Sequence, residues 1–206
     1  MKFSKIWIGA SLIALAGIST ANATPISSSG DVALTGSTLI DFNSEALGSF
    51  GSRVFGGVTI SGIGGNLTVS NDGNGQYVPP QDNFLDNRFG GVGFNFAFSS
   101  TLSAFGMQIG ATNAGQVLTA YDSLNNVLET LAIPNQVNTL PFPYTGFYGI
   151  AQAGIARVTL SANQGDWIVV DDLRYTSAPT TVTEPSLLAL LSFGLIGFGF
   201  ARRLRA

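Results

Sequence analysis

The stretch "VVDDLRY", residues 169 to 175, sets two carboxylates side by side, Asp171 and Asp172. Carboxylates are hard oxygen donors suited to divalent cations. Calcium takes six to eight oxygens, several of which backbone carbonyls of Gly-rich loops can supply. In a strand that places Val170 and Asp172 on one face, Asp171 points to the other. The alternative is that one Asp caps a turn or pairs with Arg157 or Arg174, while the other is solvated. A second group is "NDGNGQYVPPQDNFLDN", residues 71 to 87, where Asn71, Asp72, Asn74, Asp82, Asn83 and Asp86 lie among glycines and prolines. It reads as one long loop, and long loops in compact domains are often functional. EF-hand spacing is absent from it, and a plain solvated loop is the alternative reading. A third group is "PFPYTGFYG", residues 141 to 149. Tyr144, Phe147 and Tyr148, with Phe142, offer a candidate platform on which sugar rings stack. The competing reading is that these rings cover the end of the core.

Other chemistries are excluded by absence. The chain has no histidine and no cysteine. Ser-His-Asp and Cys-His sites cannot be built, nor can disulfides or the usual zinc sites. Glycoside hydrolysis needs two carboxylates at a set separation. Asp41, Glu45, Glu129, Asp171 and Asp172 are available, but no spacing singles out a pair, so the expectation is a non-enzyme. Charged residues make up 10% of the 206 residues. Between residues 24 and 183 there are four arginines against eleven Asp and Glu, a net charge of −7. So acidic a body does not bind nucleic acid through phosphate contacts. It suits divalent cations or neutral sugars better than anionic polymers or lipid surfaces.

The elements that must position these residues read as strands. "VGFNFAF" places Val92, Phe94, Phe96 and Phe98 on one face. "SAFGMQIG" follows an apparent Ser-Ser-Thr turn. "QVLTAYDS" and "NVLETLAI" flank Leu124-Asn125-Asn126 as a hairpin. "IARVTLSA" and "DWIVVDDLRY" read as a late pair around Asn163-Gln164-Gly165, and "TLIDF", "GVTISG" and "NLTVS" as shorter strands. Nine or ten strands without a helical period predict an all-β antiparallel sandwich, jelly-roll-like, over residues 38–176. Residues 24–37, rich in Ser, Thr and Gly, read as a flexible leader, and residues 177–183 as a linker.

Both ends read as addresses. Lys2 and Lys5 precede an apolar stretch from Ile6 to about Gly17, too short to span a bilayer. Ala21-Asn22-Ala23 has the form of a signal peptidase site, leaving Thr24 as the mature N-terminus and residues 1–23 as signal peptide. An uncleaved anchor is the alternative. At the other end, Glu184-Pro185-Ser186 precedes "LLALLSFGLIGFGFA", and Arg202, Arg203 and Arg205 follow it. As a helix those fifteen residues would be roughly 22 Å long, with the arginines kept on the cytoplasmic side. Residues 184–206 resemble a PEP-CTERM sorting signal, with Thr183 standing where that family usually has its first proline. The resemblance implies export in a Gram-negative bacterium and passage through the inner membrane on the C-terminal helix. It also implies recognition by an exosortase-type membrane protease, then release to the cell surface or extracellular matrix. A permanent membrane anchor is the plainer reading of the same residues.

"IDF", "FGMQIG", "VLTAYDSLNNVLET" and "DWIVVDDLRY" also resemble sandwich domains common in PEP-CTERM proteins, some similar in outline to carbohydrate-binding modules. In such jelly rolls an early-strand carboxylate often joins a late-strand Asp at a structural calcium. The resemblance makes Asp41 the candidate partner of Asp171 and Asp172. The function expected is a non-catalytic component that binds extracellular polysaccharide. A self-associating structural matrix protein and a glycoside hydrolase are the alternatives.

Overall fold

Alternation of apolar and small polar residues dominates the chain, and strands are what it forms. The computed structural model describes residues 23–72, 82–88, 92–110, 114–135, 144–162 and 166–179. In chain order the strands are β1 (Thr24–Ile26), β2 (Thr38–Ile40), β3 (Gly48–Phe50), β4 (Ser52–Phe55), β5 (Val58–Ile63) and β6 (Leu67–Ser70). They continue with β7 (Phe84–Asp86), β8 (Gly93–Gly110), β9 (Gln116–Tyr121), β10 (Val127–Ile133), β11 (Tyr144–Ala162) and β12 (Val169–Ser177). A 3-10 turn at Val32–Leu34 is the only helical element among the described residues. The fold is all-β and every pairing is antiparallel. The signal peptide and the sorting tail, including Ala21, Glu184, Pro185, Ser186, Arg202, Arg203 and Arg205, lie outside the described residues.

Two long strands, β8 and β11, each serve two layers. In the front layer the first half of β8 lies between β5 and the second half of β11, which in turn pairs with β9. The order is β4-β5-β8-β11-β9-β10. In the back layer the second half of β8 lies between β12 and the first half of β11, and β1 pairs the far edge of β11. Beyond β12 come β2 and β7, then β6 and β3. The two strands bend together. The corner of β8 is the exposed run Ser99-Ser100-Thr101. The corner of β11 contains register shifts on both sides of Ile155, and Gly154 there has φ 88°. That positive φ is one glycine adopts without a Cβ penalty.

One continuous core lies between the layers. Val58, Ile60, Phe94, Phe96, Leu118, Val158 and Leu160 face it from the front. Leu67, Val69, Leu85, Phe105, Met107, Ile109 and Val170 face it from the back. The rings of Phe96 and Phe105 meet across the bend at 5.3 Å, and Phe98 meets Phe105 at 5.5 Å. Aromatic pairs at such separations add to what their burial contributes. The β9–β10 hairpin closes as its sequence predicts. Asp122 accepts hydrogen bonds from the N–H groups of Leu124 and Asn126, and Asn125 takes the left-handed conformation at φ 64°.

Three expectations are corrected. The Ser-Ser-Thr turn is a bend inside one strand, because both halves of β8 stay bonded to β11 as it bends alongside. "IARVTLSA" and "DWIVVDDLRY" are not a hairpin pair: the first lies in the front layer against β9, and the second in the back layer against β8. Residues 24–37 are not a leader. Thr24–Ile26 pairs with Gly149–Ala151 of β11. Ile26 and Leu34 are buried against Ala104, with Phe147 and Ala151 alongside. Two apolar residues in a Ser/Thr/Gly-rich stretch suffice, because a sheet edge and an apolar patch on the back layer await them.

Two substitutions test this packing. Ile26→Ala is expected to cost about 2–5 kcal/mol, read from denaturant midpoints, and a parent-like midpoint would remove β1 from the cooperative unit. Gly149→Ala is expected to cost about 1–3 kcal/mol, because its Cβ would lie 2.3 Å from the Phe105 carbonyl oxygen.

Candidate functional site

Asp41, Asp171 and Asp172 do lie on neighbouring strands. The β2–β12 ladder ends with Ile40 opposite Leu173. Asp41 and Asp172 are the next residue on each strand, beyond that last pair. A bulge interrupts β12 between Asp171 and Arg174, with Asp172 left-handed at φ 47°. Asp171 is buried opposite Gln108, and its Oδ1 accepts the N–H of Asp172 at 2.7 Å. Asp41 is half-buried, and its Oδ1 accepts the N–H of Asn43 at 3.2 Å. Arg157 is in the front layer, engaged with Asn125 and with the Tyr121 ring.

Among the described residues no three acidic side chains gather as a metal site would require. The carbonyls that follow Asp41 in the chain have another partner. Asn83 Nδ2 donates to the carbonyl oxygens of Phe42, Asn43 and Glu45 at 3.2–3.3 Å, while the N–H of Asn83 donates to Asn43 Oδ1 at 3.0 Å. An amide donor thus gathers the 42–45 loop. Beside it is a groove of about 160 Å³ lined by Leu39, Asp41, Phe42, Ser44, Glu45 and Gly56. Glu45 is held by Arg53 at 2.7 Å, and the groove is below the roughly 300–1,000 Å³ of small-molecule sites.

Phe147 and Tyr148 do not share one platform. Phe147 and Tyr148 are consecutive in β11, so they point to opposite faces of the sheet. Phe147 packs against the Ile26–Leu34–Ala104 cluster outside the back layer, and Tyr148 packs against the main core. Tyr144 opens β11, but its side chain lies outside the described residues, as does Phe142.

Residues 71–87 are not one loop, since β7 occupies 84–86 and pairs with both β6 and β12. Asp86, its last residue, is fully buried. The N–H of Arg88 donates to Asp86 Oδ1 at 3.0 Å, and Arg88 Nη2 lies 3.3 Å from Asp86 Oδ2. The guanidinium sits 4.5 Å over the Trp167 ring. Its Nη2 also donates to Ser70 Oγ at 3.3 Å and to the carbonyl of Asp72. Asn87 brings Trp167 into place: its Nδ2 donates to the Asp166 carbonyl at 2.9 Å, and its Oδ1 accepts the N–H of Ile168 at 2.7 Å. Asp86 Oδ2, Arg88 Nε and Thr68 Oγ1 are buried without a hydrogen-bond partner among the described residues. Thr68 stands directly opposite Asp86. Burial pushes the Asp86 carboxyl up from 3.8 to about 6, although the N–H and charge of Arg88 pull it down.

No sequence pattern joined these residues. Asp86 and Trp167 are far apart in the chain and meet only through β7, β12 and the Asn87 amide. The one local sign is the apolar pair Phe84-Leu85 inside an otherwise polar stretch.

No family model and no curated protein matches the chain. Among solved structures it is similar to TmCBM61 in complex with β-1,4-galactotriose, at 14% identity and TM-score 0.35, over 60% of this chain and 90% of that one. It is similar to a family 29 carbohydrate-binding module at 11% identity and TM-score 0.35, over 76% and 87%. A DUF4465 family protein from Bacteroides caccae is similar at 10% identity and TM-score 0.36, over 75% and 100%. Likeness at this level assigns no function.

Two measurements follow from the geometry. The folded chain holds the Asp86 proton more tightly than the unfolded chain. This group's contribution to stability is therefore greatest below about pH 4 and falls as pH rises through about 6, by about 3 kcal/mol in all. Asp86→Asn is expected to flatten that fall in denaturation series from pH 4 to 7, and an unchanged slope would assign the proton elsewhere. Because Asn83 already gathers the loop carbonyls, the melting temperature is expected to be equal in EDTA and in excess calcium. A rise of several degrees with calcium would show that a cation site exists.

Proposed function

We propose that this chain is an exported, surface-sorted β-sandwich protein that associates with extracellular polysaccharide and catalyses no reaction on it. The observation that carries the binding part is the Asp86–Arg88–Trp167 unit at the end of the back layer. It sets a partly buried indole under the Arg88 guanidinium, next to Asp86, which that guanidinium pairs, and to Thr68 Oγ1, a buried hydroxyl without a hydrogen-bond partner among the described residues. Sugars present apolar C–H faces and hydroxyl edges together, and an aromatic ring flanked by planar polar groups answers both. The acidic, sparsely charged body favours neutral glycans over anionic ones. Neither histidine nor cysteine exists to serve as base or nucleophile.

The address rests on the two ends. A basic start, a short apolar stretch and Ala21-Asn22-Ala23 support export by signal peptidase with Thr24 first. The strand β1 begins at that same residue, so cleavage there would leave β1 whole. Glu184-Pro185, the apolar run and Arg202, Arg203 and Arg205 support sorting by an exosortase-type protease in a Gram-negative host.

Intact mass from the native host, with membrane and extracellular fractions kept apart, tests the address. The expected species starts at Thr24, lacks the residues after about Thr183 and is extracellular. A membrane species that retains Leu187–Ala206 would mean a permanent anchor. The extracellular species is expected to bind the host's exopolysaccharide, and Trp167→Ala to weaken that binding. No binding by the parent protein would overturn the polysaccharide reading.

A further inference from the structure

Leu85 and Val170 face the core, so their neighbours Asp86 and Val169, which pair in the β7–β12 ladder, face outward from the back layer. Asp86 is nevertheless fully buried. Arg88 Nη2 lies 3.3 Å from Asp86 Oδ2, but no aligned hydrogen bond reaches that oxygen. Thr68 of β6 stands directly opposite Asp86, and its Oγ1 is also buried without a hydrogen-bond partner. Ser70, the next outward residue of β6, accepts from Arg88. On β12, Asp171 follows Val169 on the same face and accepts the N–H of Asp172, while Arg174 lies beyond the bulge. Gly110 and Gln108 of β8 stand opposite Val169 and Asp171. Asp72, after β6, is exposed. Asp166, before β12, accepts from the Ala114 N–H and from Gln116 Nε2. Arg88 is thus the one cation paired with Asp86 among the described residues.

The two charge states of Asp86 ask for different neighbours. As a carboxylate it is acceptor-only, and it needs the Arg88 charge at this burial. The same attraction keeps the guanidinium 4.5 Å over the Trp167 ring. As a neutral acid it carries an O–H donor and needs an acceptor. Thr68 Oγ1 is that acceptor: directly opposite residues have Cβ atoms about 4.5–5.5 Å apart, within reach of two short polar side chains. Arg88 is then a cation without a counter-ion. Its side chain is only 19% exposed, its Nε is enclosed without a partner, and its remaining acceptors, Ser70 Oγ and the Asp72 carbonyl, are neutral. Such a charge is costly where it lies, and a long arginine stem reaches water by rotation alone.

We propose that Asp86 is a proton-operated latch on Trp167. With the carboxylate charged, Arg88 is held over the indole. With the carboxyl protonated, its O–H turns to Thr68 Oγ1, and Arg88 swings into solvent and leaves the ring face open. Burial raises this carboxyl from 3.8 to about 6, so the latch opens on mild acidification. The latch regulates the binding unit proposed above. It rests on that reading only for its consequence, tighter polysaccharide binding at lower pH.

The full chain carrying Trp7→Phe has Trp167 as its only tryptophan, and acrylamide quenching of its fluorescence reports whether the ring is covered. Quenching is expected to rise as pH falls from 8 to 4, with a midpoint near 6 and unchanged circular dichroism. Asp86→Asn, a neutral donor of the same shape, is expected to be strongly quenched at every pH. Thr68→Val removes the acceptor and is expected to lower the midpoint by about 0.7 pH unit, the equivalent of one hydrogen bond. Quenching that does not change with pH in the parent, or the parent's pH response retained in Asp86→Asn, would overturn the latch. In affinity electrophoresis on the host's exopolysaccharide, binding is expected to be about fivefold tighter at pH 5 than at pH 7.5. Equal binding at both, without a quenching transition, would overturn the latch and leave the polysaccharide reading standing. No binding at either pH, with the quenching transition intact, would overturn that reading and leave the latch.

Discussion

The bend shared by β8 and β11 is the constraint on which the rest of this molecule depends. Each strand gives one half to each layer, so the two sheets are one hydrogen-bonded surface folded over its own core. No disulfide can hold the layers together, because the chain has no cysteine. Cohesion comes instead from continuous backbone and from the phenylalanines at the corner, where Phe96, Phe98 and Phe105 meet. Close backbone approach is part of the same constraint. A side chain at Gly149 would meet the Phe105 carbonyl, and one at Gly106 would meet the Phe147 ring.

A sandwich with so few charges must satisfy its irregular backbone by other means, and two asparagine amides do much of this. Asn83 gathers three carbonyls of the 42–45 loop, and Asn87 pairs with residues 166–168 on both its donor and acceptor sides. A primary amide suits the task because it donates and accepts in one plane without the desolvation cost of a charge. Asp86 meets burial differently: it is a carboxylate at a strand end, paired with Arg88.

The two outward faces of the sandwich differ. The back layer is partly covered by residues 24–37, which place Ile26 and Leu34 over Ala104 and Phe147. The front layer turns outward a row of uncharged polar residues, of which Thr119 and Thr159 are each only 9% exposed.

Sequence alone determined the elements whose signal is local. Alternation in "GFNFAF" and "VLTAY" marked β8 and β9, and Asp122 with Asn125 marked the turn into β10, because side-chain period and turn chemistry act between near neighbours. The absence of His and Cys bounded the chemistry in the same way. The tertiary structure decided whatever depends on which strands meet. Ser99-Ser100-Thr101 reads as a turn until β11 is seen to bend beside it. Phe147 and Tyr148 read as one platform until the sheet places them on opposite faces. Asp86 reads as a loop residue until β6 and β12 bury it beside Arg88 and Trp167. Ser52, Ser61, Asn95, Thr159, Thr119 and Thr130 lie far apart along the chain and become neighbours across the front layer only through register, and register is set by long-range pairing rather than by local propensity.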